Sequence, residues 1–71
     1  MKKMSAEARE RLNAEVTELK TRHGKLKKFL VEHKSEEEDL DIRLLRRQAK
    51  VMSEYADILD TRIKLDDAKT E

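Results

Sequence analysis

Apolar residues in the second half of the chain form two lines that each repeat every seven residues between positions 40 and 65. One line consists of Leu45, Met52 and Leu59, and the other of Leu44, Val51, Ile58 and Leu65. At about 100° per residue the two lines lie side by side on a helix. With their apolar neighbours they cover an arc of roughly 200°, which is wider than the apolar face of an ordinary surface helix. The pattern therefore predicts a helix with two packing partners.

A narrower apolar line runs along the first half of the chain, with spacings that alternate between four and three residues. Its members are Leu12, Val16, Leu19, His23, Leu26, Leu30 and His33. This heptad spacing is typical of a helix that packs against one neighbour. Ser5 is a suitable N-cap, and Gly24 lies opposite the line, where a surface glycine is tolerated at up to about 1 kcal/mol relative to Ala. We expect the first helix over about residues 6–33, after a frayed tail at residues 1–4.

A strong local signal separates the two patterns. Ser35 is followed three residues later by Glu38, which is the spacing of a capping box, and the intervening residues are also acidic. We therefore predict a tight turn at residues 33–35 and a second helix over about residues 36–68, with fraying from Asp66 onwards. Because short connections between helices produce antiparallel neighbours, the predicted fold is all-α, an antiparallel helical hairpin in a single domain of residues 1–71.

The size of the chain argues for a further stabilising partner. It has 71 residues, no Pro and no Cys. Ordering costs about 1.5 kcal/mol per residue, and area burial in so small a core roughly cancels this cost. Since disulfides are excluded, oligomerisation is the expected stabiliser. We predict a homodimer in which two hairpins form a four-helix, coiled-coil-like bundle. The predicted dimer interface consists of Leu44, Val51, Tyr55, Ile58 and Leu65.

Charged residues make up 46% of the chain but leave a net charge of only +1. Folding at about residue 34 would bring residues 20–28 level with about residues 41–49, so that two basic clusters form one basic belt around the hairpin. The candidate partner-binding residues of this belt are Lys20, Arg22, Lys27, Arg43, Arg46, Arg47 and Lys50. The belt fits an acidic protein surface or phosphates, or else a solvated face with helical ion pairs. Flanking acids and the lack of interleaved aromatic residues disfavour nucleic acid.

The sequence offers little catalytic or metal-binding chemistry. It has no Cys, and its two histidines, His23 and His33, are ten residues apart in the same apolar line. We interpret them as residues that tune helix pairing or its pH response rather than as metal ligands. No nucleophile–base arrangement or phosphate loop is present. We therefore expect no enzyme activity, no cofactor and no small-molecule substrate. No apolar run approaches the ~18 residues of a membrane span, so the expected location is the cytoplasm.

Two motifs carry a resemblance over about residues 12–65. They are Leu26-x-x-Phe29-Leu30 and an LL-x-x-Q-x-x-x-M-x-x-Y-x-x-x-L-x-x-R-I rhythm over residues 44–63. With these motifs the chain resembles a group of very small bacteriophage helical-hairpin proteins. Within this group it is most similar to a phage anti-activator that binds a host quorum-sensing transcription factor and also blocks a type IV pilus assembly ATPase.

The resemblance implies a dimeric hairpin that acts as a protein inhibitor in the cytoplasm of the infected cell. Two alternatives remain from the residues themselves. One is a nucleic-acid-binding regulatory hairpin that uses the basic belt. The other is a purely structural component of a coiled-coil assembly.

Overall fold

Two long helices account for the architecture. The computed structural model describes residues 2–34 and 39–69. Helix α1 spans Ala6–Glu32 and helix α2 spans Leu40–Ala68. They pack against each other as a hairpin with Cα extents of 52 × 16 × 14 Å. The predicted all-α hairpin is therefore confirmed.

The ends of α1 are fixed by local hydrogen bonds. The Ser5 hydroxyl accepts a hydrogen bond from the backbone N–H of Ala8 at 3.2 Å, as expected of an N-cap. At the other end the backbone N–H of His33 donates to the carbonyl oxygen of Phe29 at 3.1 Å. The His33 ring also stacks on the Phe29 ring, with centroids 4.1 Å apart. These contacts end α1 within one residue of the predicted position.

Helix α2 begins later than the sequence pattern indicated. Its N-cap is Asp39, whose carboxylate accepts hydrogen bonds from the backbone N–H groups of Asp41 at 2.8 Å and Ile42 at 3.4 Å. An aspartate at this position satisfies backbone donors that the helix itself leaves unpaired. The capping box predicted at residues 35–38 lies outside the described residues.

The described part of the core contains two apolar clusters along the hairpin. Near the open end, Leu12 and Val16 pack with Leu59, which is fully buried. Near the turn, Leu30 packs with Ile42 and Ala49. All the remaining members of the predicted α1 line are half-buried, so that line is the seam of α1.

The level at which the helices face each other differs from the prediction. Because Leu30 meets Ile42 and Leu12 meets Leu59, residues 20–28 lie level with about residues 44–52, not with residues 41–49. The difference is about one helical turn. It matches the helix bounds, because the point midway between the end of α1 at residue 32 and the start of α2 at residue 40 lies two residues after the predicted fold at about residue 34.

The face of α2 that packs on α1 also follows a heptad spacing. Its buried or half-buried members are Ile42, Leu45, Ala49, Met52, Ala56, Leu59, Ile63 and Asp66. The predicted line of Leu45, Met52 and Leu59 is therefore on the correct side. Ile42 was not assigned to either apolar line, although the spacing of three to Leu45 was a signal for it.

The segment before α1 is tied to the last turn of α2, which corrects the expectation of fraying at Met4 and Asp66. The side chain of Asp66 is 1% exposed and accepts a hydrogen bond from the backbone N–H of Met4 at 2.7 Å. Arg9 Nη1 lies 2.7 Å from Asp66 Oδ2 and 2.9 Å from Asp67 Oδ1. Met4 itself packs against the open-end cluster. These partners hold the two segments together, because leaving a buried carboxylate unpaired would be costly.

Candidate functional site

Helix α2 carries an uncovered apolar line on its outer surface, which we call the outer stripe. It consists of Leu44, Val51, Ile58 and Leu65. Each of these side chains is between 55% and 58% exposed. They are displaced by two residues from Ile42 and its heptad equivalents, which turns the helix by about 200°. The outer stripe therefore faces away from α1 along most of the length of α2.

This exposure is unusual for large aliphatic side chains in a regular line. Single exposed apolar residues are ordinary, but a contiguous apolar surface on a soluble protein marks an interaction site. Leu40, four residues before Leu44, extends the surface and is 67% exposed. The outer stripe is the strongest candidate for a functional surface within the described residues.

Tyr55 borders the outer stripe, since it lies four residues after Val51 on the same side of the helix. Its side chain is 41% exposed, and its hydroxyl donates a hydrogen bond to Oε1 of Glu15 on α1. That hydrogen bond is the main cause of a raised Tyr55 pKa, with smaller contributions from burial and from the negative charge of Glu15. Tyr55 thus links α2 to α1 at one edge of the hairpin while part of its ring stays accessible.

The residues of the basic belt do not all remain free. Lys20 Nζ lies 3.1 Å from Asp60 Oδ2, and Arg22 forms an ion pair with Glu18 one turn earlier in α1. These two belt residues therefore form ion pairs within the hairpin. The other candidates on α2 except Arg46 are exposed, namely Arg43, Arg47 and Lys50.

Arg46 lies in a cavity of about 320 Å³ at the edge of the hairpin near the turn, which we call the cationic pocket. The lining residues are Lys27, Leu30, Val31, Lys34 and Arg46. The Nε and Nη2 atoms of Arg46 are buried and have no hydrogen-bond partner among the described residues. These two nitrogens form one edge of the guanidinium group, which binds a carboxylate or phosphate through two parallel hydrogen bonds. The side chains that line the pocket include three cations, Lys27, Lys34 and Arg46, so its charge favours an anionic ligand.

The cationic pocket was only partly foreseen from the sequence. Lys27 and Arg46 were candidates within the belt, whereas Lys34 was not. Lys34 lies two residues beyond the end of α1, so helical spacing gave no signal for it. Only the path of the chain after the helix brings it to the pocket.

The histidines lie where the α1 seam predicted them, and both are half-buried. Across residues 2–34 and 39–69, no group of three or more His, Cys, Asp or Glu side chains is arranged to hold a metal ion. In the same part of the chain, neither helix is long and apolar enough to cross a membrane.

The exposed apolar stripe and the cationic pocket on a two-helix scaffold define a small helical-hairpin binding protein. The chain belongs to the Sequestin family, whose sequence model matches residues 6–65 and so includes α1 and most of α2. The family name describes a protein that binds or sequesters another molecule. No curated protein and no solved structure matches the chain.

Proposed function

We propose that the protein is a non-enzymatic, phage-encoded inhibitor that binds a host protein and holds it inactive. The observation that carries this proposal is the group of cations beside the turn, Lys27, Lys34 and Arg46, which a dimer through the outer stripe leaves at its rim. Membership of the Sequestin family supports a sequestering role. The proposed target is a quorum-sensing transcriptional activator, with a pilus assembly ATPase as a further target, and the proposed location is the host cytoplasm.

The proposed active form is a homodimer. The hairpin has only one internal seam, and α2 has apolar residues on both sides. Packing the outer stripes of two chains together gives a four-helix bundle in which the α2 helices are central and α1 is peripheral. This arrangement removes the exposed apolar line from water, which is the main driving force for association.

If the outer stripe is covered by a second copy, the host target meets the rim of the dimer. The exposed cations near the turn then remain for an acidic surface of the target, with Arg46, Lys27 and Lys34 in the cationic pocket at their centre. Charged rim residues of this kind raise association rates and select partners by complementarity.

The test is inhibition of DNA binding by the purified transcriptional activator. Fluorescence anisotropy of a labelled operator should show that the wild-type protein releases the activator from DNA. A Lys27→Glu/Arg46→Glu variant should lose most of this effect, because it reverses the charge of the pocket. Arg11→Glu, an exposed charge reversal towards the open end of α1, is the matched control and should behave as wild type. Unchanged operator binding at saturating wild-type protein would remove this activator as the target.

A second candidate function is binding of a phosphate-bearing ligand, including nucleic acid. The observation that favours it is the guanidinium edge of Arg46, which has no hydrogen-bond partner among residues 2–34 and 39–69 and lies beside two lysines. Titration of isotopically labelled protein with inorganic phosphate, and separately with duplex DNA, would separate the cases. A small phosphate ligand should shift the resonances of residues around the pocket. DNA binding should weaken steeply with salt as counterions are released. Absence of shifts in both titrations would exclude this function.

A further inference from the structure

The outer stripe is one half of a complete heptad seam. Residues at alternating spacings of three and four along the outer side of α2 are Leu40, Leu44, Arg47, Val51, Glu54, Ile58, Thr61 and Leu65. All eight of these residues are exposed. We call this set the outer seam. Alternation of this kind is the geometry with which one helix packs along another.

Two opposite charges interrupt the outer seam near its middle. Arg47 and Glu54 are seven residues apart, which separates them by about 10 Å along one helix and prevents a direct ion pair within the chain. Neither forms an ion pair with the described residues. Their charges therefore remain available to a molecule that packs along the seam.

A parallel second copy would be opposed by these charges. In a parallel pair of helices each seam residue faces the same residue of the other chain. Arg47 would then meet a second Arg47, and Glu54 a second Glu54, at positions that the pairing partly removes from water. Like charges brought together in this way are destabilising.

We propose that a second copy of this chain packs along the outer seam in antiparallel orientation, with the two-fold axis near residues 52–53. Arg47 then lies within reach of Glu54 of the other chain, and two-fold symmetry repeats the pair. The apolar ends also match, since Leu40 of one chain meets Leu65 of the other. This inference rests on the dimer of the proposed function and specifies its orientation.

The charges flanking the seam support the same orientation. An antiparallel pair centred there brings Lys50 of one chain next to Asp57 of the other, and Asp41 next to Arg62. The same arrangement brings Arg43 of one chain next to Lys64 of the other, which is a like-charge pair. The balance of complementary pairs therefore favours a two-fold antiparallel dimer.

Disulfide trapping tests the orientation, because the chain has no Cys of its own. In the antiparallel dimer, two copies of residue 44 are about 25 Å apart along the helix axis, far beyond the roughly 7 Å Cα separation that a disulfide tolerates. Leu44→Cys alone should therefore stay unlinked under mild oxidation. An equimolar mixture of Leu44→Cys and Thr61→Cys should form a mixed disulfide. Efficient linking of Leu44→Cys to itself would overturn the proposal in favour of a parallel pair.

Charge exchange gives a second, independent measurement. Arg47→Glu should weaken self-association in sedimentation equilibrium about tenfold or more, because it places Glu beside Glu54 of the other chain. The double variant Arg47→Glu/Glu54→Arg should recover wild-type association, since both inter-chain pairs are restored with reversed sign. Failure of the double variant to recover, with normal helicity by circular dichroism, would overturn the proposal.

The same experiments separate this inference from the proposed function. A wild-type chain that sediments as a monomer at high micromolar concentration would remove the dimer itself and leave the outer seam to the host target. A stable dimer that gives no mixed disulfide between residues 44 and 61, and no charge-exchange recovery, would exclude the antiparallel orientation but not the dimer.

Discussion

The backbone N–H of Met4 donates a 2.7 Å hydrogen bond to Oδ1 of Asp66, a carboxylate that is 1% exposed. The other carboxylate oxygen, Oδ2, accepts from Arg9 at the same distance. One buried aspartate therefore joins the segment before α1 to the last turn of α2. This contact joins the two helices at the open end of the hairpin.

Acidification should release this contact. The Met4 N–H, followed by Arg9, lowers the pKa of Asp66 in the folded protein against the opposing effect of burial. A lowered pKa contributes stability that is fully present above the unfolded-state pKa of about 4 and is lost as pH falls through the folded-state pKa. Asp66→Asn should therefore lower the thermal midpoint at pH 7, and its difference from wild type should shrink below about pH 4.

The matched control is Asp67→Asn, which removes the neighbouring and largely exposed carboxylate. It should change the midpoint much less, because exposed ion pairs contribute little. Circular dichroism melts from pH 7 to pH 2 supply the comparison. An Asp66→Asn deficit of equal size at pH 2 and pH 7 would contradict the linkage.

Truncating two adjacent residues on α2 should affect two different properties, the stability of the hairpin and its self-association. Leu59 is fully buried in the open-end cluster, whereas Ile58 is 57% exposed on the outer stripe. Leu59→Ala should lower the free energy of unfolding by about 2–5 kcal/mol, the range for buried aliphatic truncations. Ile58→Ala should leave the dilute hairpin almost unchanged but reduce self-association. Urea unfolding at low and high protein concentration distinguishes the two, and equal losses for both variants in dilute solution would contradict the assigned faces.

Much of the hairpin follows from hydrophobic periodicity. The alternating line from Leu12 to His33 identifies the seam of α1, and the line from Leu45 to Leu59 identifies the packed side of α2. The surplus apolar residues at Leu44 and Val51 correctly indicate a helix face that α1 leaves uncovered. Periodicity predicts these features because burial of regularly spaced apolar groups dominates the energetics of long helices.

Features that depend on pairing between distant residues were not predictable in the same way. Asp66 resembles any polar residue near a chain end until Met4 and Arg9 are brought to it by the fold. The pairing of residues between the two helices depends on where α1 ends and α2 begins. The pairing predicted from the capping signals differs from the observed one by about one helical turn. The burial of Arg46 Nε and Nη2 without a hydrogen-bond partner in the described part of the chain likewise depends on the folded surroundings, which a sequence pattern does not show.

Gly24 offers a stabilising substitution. It lies exposed in the middle of α1, and a Cβ atom built there would meet no described atom within 4 Å. Gly24→Ala should raise the free energy of unfolding by about 0.5–1 kcal/mol, because Ala loses less backbone entropy in a helix. Chemical denaturation of the purified variant measures the gain. A loss of stability would contradict the open surroundings of Gly24.

Tyr55 can be titrated directly, because it is the only tyrosine and the chain has no tryptophan. The hydrogen bond to Glu15 raises its pKa, so the phenolate absorbance should develop above the ordinary value of about 10. Glu15→Gln should bring the midpoint back towards that value.

The pH dependence of stability for Tyr55 has the opposite sign to that for Asp66. The stability contributed by Tyr55 is present below about pH 10 and is lost as pH rises through the raised pKa. An unshifted midpoint in the wild-type protein would contradict the Tyr55–Glu15 contact.

The most informative substitution is Arg46→Met, because it should separate stability from binding. Two guanidinium nitrogens of Arg46 are buried without hydrogen-bond partners among the described residues, and each unsatisfied buried donor costs about 1–3 kcal/mol. Met keeps much of the aliphatic volume and adapts to irregular space, so the variant should be more stable by roughly 1 kcal/mol in the absence of ligand.

The same variant should bind an oxyanion or an acidic partner more weakly, since the paired donors of the pocket are gone. Arg43→Met, an exposed arginine on the same helix, is the matched control and should change neither property appreciably. Thermal melts with and without phosphate give both quantities, because a ligand that binds only the folded state raises the midpoint. A destabilised Arg46→Met protein would mean that Arg46 stabilises the hairpin itself. A stabilised variant that no longer responds to phosphate would assign the buried donors of Arg46 to ligand binding.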